Sequence, residues 1–398
     1  MLFDADVVTR RKKCVSDSES SRALRNSGAQ GATERKQDMQ RNRGFTIIEL
    51  LVVVSIIALL VGILLPAIGK ARDQAQLTRS QANMKQLGTA LATYGAEYGD
   101  RQPTWITDNF STYGNNAVAA FAGYQTSVGI AHPWAILGYG QGVIWVWALA
   151  ENTYLPFNPA STTNKFGSFR LPNNRSVSTY LNGRFYDPVY YAPKDKAVMG
   201  SVERWFDHPD EYVSSGVTGG QKFSSYCFSP AAMVSPDVLG LNRTTDLYYT
   251  DPWTIGAGWR SPSFSQAQFP DLKTHMIEHH WLQNNKKTCN PFFASGPYDG
   301  CQPYFFNGSI ESAPVCLFYD GHIAAAGQRD AIEANKRVAT QNGRPNDGGL
   351  WSVNTVWAGQ YADYGTGGYY TQAALDWTST SYHILTIDGI KGRDFLGK

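Results

Sequence analysis

The stretch "RNRGFTIIELLVVVSIIALLVGILLPAIGKARDQ", residues 41–74, decides how this chain is read. Two arginines precede an apolar run from Phe45 to Leu65 that carries one formal charge, Glu49, on its fifth residue. As a helix rising 1.5 Å per residue the run reaches roughly 31 Å, about the thickness of a bilayer's hydrocarbon core. A secretory signal peptide would be shorter and would be followed by a small-residue cleavage site. Here helical character continues through "AIGKARDQAQLTRSQANMKQLGTALATYGAEYGD", so a cleavage signal has to precede the run. A carboxylate at the end of a membrane helix is costly and needs a partner.

Gly44-Phe45-Thr46-Ile47-Ile48-Glu49-Leu50, behind Arg41 and Arg43, resembles the class III signal of type IV pilins and type II secretion pseudopilins. The resemblance implies that a membrane prepilin peptidase cuts after Gly44 and that Phe45 becomes a methylated N-terminus. It also implies that Glu49 is the fifth-position glutamate of that family, and that Pro66 falls where many pilins carry a helix-bending proline. Thr46, Glu49 and Pro66 are then assembly residues. The implied fold is α+β and pilin-like, a long N-terminal α-helix packed on a β-rich globular domain. The implied partners are the peptidase, other pilin or pseudopilin subunits met through the N-terminal helix, and the membrane. In a bundle of parallel, staggered helices the Glu49 carboxylate of one subunit can meet the Phe45 ammonium of the next, each neutralising the other in a low-dielectric core. The alternative is a carboxylate that snorkels to the headgroups.

The charges flanking the run nearly tie, Arg41 and Arg43 against Lys70, Arg72 and Arg79, so positive-inside counting does not orient it. The leader does, because the peptidase works at the cytoplasmic face. The expectation is a single-pass inner-membrane protein with a cytoplasmic N-terminus and a periplasmic or extracellular C-terminal domain. Residues 1–38 lack apolar periodicity, and Met39 opens "MQRNRG", a basic leader of six residues. Residues 1–38 therefore read as an untranslated or disordered extension and 39–44 as the leader. Residues 45–66 read as the transmembrane and assembly helix, 67–99 as its continuation and 100–398 as the exported domain.

Met84, Leu87, Leu91, Tyr94 and Tyr98 recur at spacings of three and four, a narrow apolar seam that predicts one covered helix face. Gly95, Gly99, Asp100 and Pro103 predict the end of a helix on the order of 80 Å long. Pro66 within it removes a hydrogen bond and predicts a bend or loosening. Beyond residue 100, short apolar runs between Gly, Pro and Asn turns predict a β-rich domain. "KTHMIEHHWL" (273–282), "VCLFYDGHIAAAG" (315–327) and "SYHILTIDGI" (381–390) are strand candidates, with a tight turn at Asp320-Gly321. "GVIWVWALA" (142–150) fits strand or helix, and "RDAIEANKRVATQNG" (329–343) reads as a helix stopped by Gly343. The series "YYAPKD", "SYCFSP", "DLKTHMIEHH" and "LFYDGHI" is similar to the bacterial prepilin-like proteins that end in an H-x9-DG motif, although Ile310 stands at the histidine position.

Composition narrows the function. A net charge of +2 with no basic, aromatic-interleaved stripe past residue 105 argues against a nucleic-acid partner. His275 to His279, "HMIEH", fits the H-x-x-E-H zinc pattern, but as a strand it would point His275, Ile277 and His279 one way and Glu278 the other. Turn chemistry accounts for the Asp-Gly pairs that could otherwise hold calcium. No catalytic residue, metal or cofactor is expected. Cys227, Cys289, Cys301 and Cys316 fall in the segment placed outside the membrane, where up to two disulfides are expected, Cys289 with Cys301 first; buried thiols are the alternative. The expectation is a non-enzymatic filament subunit in a minor or tip position. The alternative is a membrane-tethered periplasmic or surface protein that binds glycans or peptides.

Overall fold

The computed structural model describes residues 45–103, 110–114, 175–184, 186–207, 224–240, 254–278, 311–344, 348–351 and 386–397, with single residues and pairs between them. The chain divides into two units, residues 1–63 and 64–398. Helix α1, Ile47–Glu97, begins in the first and ends in the second, and its backbone stays helical through Pro66. In the first unit every described large apolar side chain, Phe45 through Ile63, is exposed. Both hydroxyls in that stretch are satisfied locally, Thr46 Oγ by donating to Glu49 and Ser55 Oγ by donating to the Leu51 carbonyl at 2.7 Å.

In the second unit the covered face of α1 consists of Ser80, Asn83, Met84, Leu87, Ala90, Leu91, Tyr94 and Gly95. The apolar seam read from the sequence is this face, with one correction. Tyr98 is 55% exposed and only stacks on Tyr94, ring centroids 4.3 Å apart, because the helix ends at Glu97 and the chain turns away through Gly99 and Asp100, both with positive φ.

A two-residue antiparallel ladder joins β1 (Gly138–Tyr139) to β2 (Lys165–Phe166). The main sheet has four antiparallel strands in the order β3 (Tyr226–Phe228), β4 (Thr274–Glu278), β5 (Val315–Phe318) and β6 (Ile323–Ala325). Cys227, Ile277 and Cys316 stand abreast across β3, β4 and β5. The face carrying Tyr226, Glu278, Met276 and Leu317 meets α1, and Gly88 lets the Leu317 methyls come within 3.1 Å of where a Cβ would stand. The β5–β6 hairpin turns through Tyr319, Asp320 and Gly321, closed by Phe318 N–H to the His322 carbonyl at 3.0 Å. Gly321 takes the left-handed conformation (φ +83°) that a three-residue hairpin loop requires.

Helix Gln328–Gln341 buries Ala331, Ala334 and Ala339 and ends before Gly343 (φ +69°), as its sequence predicts. "SYHILTIDGI" is not a strand in its described residues. It contributes an isolated bridge, Thr386 to Trp351, and then a 3-10 turn from Gly389 to Lys391. The reason is local, because Asp388 and Gly389 both take positive φ and turn the chain back on itself. "GVIWVWALA" lies outside the described residues. The core is aromatic, with Trp351, Tyr186, Tyr190, Tyr191, Tyr226 and Tyr382 wholly buried.

Candidate functional site

Phe45, Thr46 and Glu49 form the head of the exposed apolar helix. Thr46 N–H and Thr46 Oγ both donate to Glu49 Oε2 at 2.9 Å, and Glu49 N–H lies 3.3 Å from Thr46 Oγ. This is a reciprocal capping box. It occupies two of the amide donors that a helix start leaves orphaned, and it places a negative charge at the positive end of the helix dipole. Within one chain, then, Glu49 already has a partner, and a Phe45 ammonium would lie one residue from the carboxylate's own cap. Phe45 itself is 70% exposed. α1 is long and apolar enough to cross a membrane, and none of its most apolar window is buried. Gly44 and the leader lie outside the described residues.

Further along α1 the docked face carries two polar residues that an apolar seam does not reveal. Ser80 Oγ donates to Glu278 Oε1 at 2.5 Å and lies 2.9 Å from Tyr226 Oη. Asn83 Nδ2 donates to the Tyr191 carbonyl at 3.0 Å. Val315 N–H donates to Glu278 Oε2 at 3.2 Å, so one carboxyl ties α1, β4 and β5 together. Burial pushes the Glu278 carboxyl up to about 7, against the opposing hydrogen bonds from Ser80, Val315 and Gln283.

The described part of "HMIEH", His275 to Glu278, is strand, as its sequence predicts, but its facing is not the expected one. A bulge between Thr274 and Met276 inserts His275 as an extra residue, so His275 turns to the α1 side, away from Ile277. His275 packs against Phe264 and Tyr319, ring centroids 5.4 and 4.5 Å away, and burial pushes its imidazole down to about 3, with the Lys273 charge adding to this. His275 is therefore neutral. His279 lies outside the described residues, and among the described residues no three His, Cys, Asp or Glu are placed to hold a metal.

The bulge turns Thr274 to the opposite face, into a fully buried polar cluster. Lys273 Nζ is 2.9 Å from each of Asp394 Oδ2, Ser229 Oγ and Thr386 Oγ, which satisfies all three ammonium donors. Asp394 accepts further bonds from the Thr274 and His383 amides and from both threonine hydroxyls. Burial opposes its ionisation, yet the Lys273 charge and these bonds hold it at about 2. Because Thr274 Oγ donates to Asp394, it accepts from His383 Nδ1–H at 2.9 Å. That tautomer leaves His383 Nε2 to receive the Cys227 thiol at 3.7 Å. Every polar member has a partner, so the cluster ties β3 and β4 to the C-terminal segment that carries His383, Thr386 and Asp394.

Cys227 and Cys316 are both thiols. With β4 between them their Cα atoms lie about 9–10 Å apart, beyond disulfide reach. The expected Cys289–Cys301 bridge lies outside the described residues. Sequence reasoning missed Ser80, Asn83, Lys273 and Asp394. Ser80 and Asn83 extend the seam's own three-and-four spacing, which was a usable signal. Lys273 and Asp394 are 121 residues apart and carry none.

Comparison with known proteins bears on the N-terminal segment. Residues 39–65 match the family described as the prokaryotic N-terminal methylation motif. The chain is similar to the type IV major pilin protein PilA of Myxococcus xanthus (strain DK1622), 40% identical over 57 residues, which is 14% of this chain and 26% of the relative. The chain thus spans about a quarter of the length of the curated relative it matches. No solved structure matches. The capping box, the apolar helix behind it and the matched motif coincide on the same residues, and the N-terminus of this chain is type IV pilin-like.

Proposed function

We propose that this chain is a non-enzymatic, minor or tip subunit of a type IV pilus-like or type II secretion pseudopilus-like filament. It is cut by prepilin peptidase between Gly44 and Phe45, held in the inner membrane with its N-terminus in the cytoplasm, and assembled through α1. The observation that carries this is the match of residues 39–65 to the methylation motif, at the head of an apolar helix whose large side chains are exposed among the described residues. In a filament, neighbouring copies of such helices supply that cover. The glutamate then trades its internal Thr46 cap for the Phe45 ammonium of a neighbour.

The test uses a tagged full chain in its own cell. N-terminal sequencing is expected to find an N-methylated Phe45, and sheared filaments are expected to contain the tag. Glu49→Ala is expected to insert and be cut normally yet leave the filament fraction, with Glu49→Gln nearly as defective. Mature protein beginning elsewhere, or tag that stays in the membrane while other subunits shear off, overturns the reading. Both Glu49 variants entering filaments at wild-type levels overturns the charge pairing.

A further inference from the structure

The turns of α1 that follow the apolar run carry Lys70, Arg72 and Arg79, all exposed. Among the described residues none of the three has an acid partner. The domain adds two more cations beside them. Lys194 reaches the helix at Asp73, its Nζ 3.9 Å from Asp73 Oδ1, and donates to the neutral Gln283 Oε1 at 2.9 Å. Lys196, two residues on, is exposed. The acid between the two lysines is turned the other way. Asp195 is wholly buried, where Ser225 Oγ donates to it at 2.7 Å and the Val198 amide at 3.3 Å. Charge is therefore sorted at this end of the domain. Four bases are exposed and a fifth partly so, while Asp73 is the one carboxylate between residues 66 and 79 and already faces Lys194.

Basic residues just past a span favour the topology opposite to the one the leader implies, so these cations oppose insertion in the proposed orientation. Their height along the helix says what they meet there. Counted from Leu65 at 1.5 Å per residue, Lys70 and Arg72 stand about 8 and 11 Å beyond the apolar run, and Asp73, with Lys194 beside it, about 12 Å. The headgroup layer of a bilayer is about 5–8 Å deep on each side, and long basic side chains reach back toward it. Arg79, about 21 Å out, lies near the limit that a Debye length of about 8 Å sets. A small free anion needs donors that converge on one point. Here Arg72 and Arg79, two turns apart, share one side of the helix and Lys70 stands on the other, which suits a surface that surrounds the helix. Clusters of four or more cations directly beyond a span bind anionic headgroups, each close cation strengthening the attraction roughly fivefold. We propose that Lys70, Arg72, Arg79, Lys194 and Lys196 form a basic collar that binds anionic phospholipid headgroups where α1 leaves the membrane. This rests on the reading of residues 45–65 as a membrane span and not on the filament.

The test uses the full chain in nanodiscs of equal parts phosphatidylcholine and phosphatidylglycerol, with spin-labelled forms of each lipid read by EPR for association with the protein. Phosphatidylglycerol is expected to associate about fivefold more strongly than phosphatidylcholine. Raising the salt to about 1 M, where charges are screened beyond about 3 Å, is expected to remove most of that preference. Lys70→Gln, Arg72→Gln and Arg79→Gln together are expected to bring the two lipids close to equal, with the chain still in the nanodiscs. Arg329→Gln, Lys336→Gln and Arg337→Gln, which take the same charge from exposed positions on helix Gln328–Gln341, are expected to leave the preference intact. Four results overturn the collar while the span stands: no preference in an inserted chain, a preference unchanged in the α1 triple variant, an equal loss in both triple variants, or a loss when inorganic phosphate replaces chloride at constant ionic strength. A chain that separates from the nanodiscs altogether overturns the span, and the collar with it. None of these outcomes bears on whether the chain enters filaments.

Discussion

Glu278 is a carboxyl whose ionisation the fold resists. Its carboxyl sits at about 7 in the folded chain against a model-peptide value near 4.5. Below about pH 4.5 both folded and unfolded chains hold the proton, and the residue contributes nothing. Between about 4.5 and 7 the unfolded chain releases it first, so stability falls as pH rises, and above about 7 the full penalty of about 3 kcal/mol is present. Glu278→Gln keeps the shape and the bonds to Ser80 and Val315 and should remove that slope. Urea midpoints measured from pH 5 to 8 should diverge in favour of the variant as pH rises, and parallel curves would refute the shift. Lys273 poses the opposite case, a charge whose partners are complete. Lys273→Met leaves Asp394 buried without its counterion and should cost about 3–5 kcal/mol, while Lys273→Met with Asp394→Leu should recover much of that loss in a thermal melt.

At the scale of elements, α1 was the most legible part of the sequence, because period 3.6 speaks over many turns. Leu87 is wholly buried in the seam, and Leu87→Ala should cost about 2–5 kcal/mol. Tyr98→Ala, beyond the last turn, should cost under about 1 kcal/mol by the same denaturation assay, since only a stack on Tyr94 is lost. The β5–β6 hairpin and helix Gln328–Gln341 were equally plain, each marked by a glycine that has to adopt positive φ. What escaped was β3, too short at three residues to show alternation, and the bulge in β4. A bulge is invisible to a period-two reading, and it moved His275 to the α1 side and Thr274 to the ion pair.

For the molecule as a whole, the N-terminal 27 matched residues carry the functional reading, and the domain that makes up most of the chain carries little of it. The reason is physical. A membrane helix and its leader are local features, recognisable from consecutive residues, whereas the domain is joined by contacts between distant segments. Lys273 with Asp394, Ser80 with Glu278 and Gln102 with Ala232 are separated by 121, 198 and 130 positions. The α+β class followed from the long helix and the turn-rich remainder. The identity of the strands that α1 covers followed only in part.

The Lys273–Asp394 pair also sets a clock. A ribosome adding about 5–20 residues per second reaches Asp394 roughly 6–24 s after Lys273 has been made. Throughout that interval the central strand of the sheet begins with an ammonium that has no counterion, so β4 gains nothing by burying it. The domain is therefore expected to stay open while most of it is already synthesised and to close once Asp394 has arrived. Nascent chains stalled to display residues up to 385 should be cut within the domain by a protease pulse, and those displaying residue 397 should resist. Were the domain exported, as proposed above, it would cross the membrane in this open state, before its sheet can form.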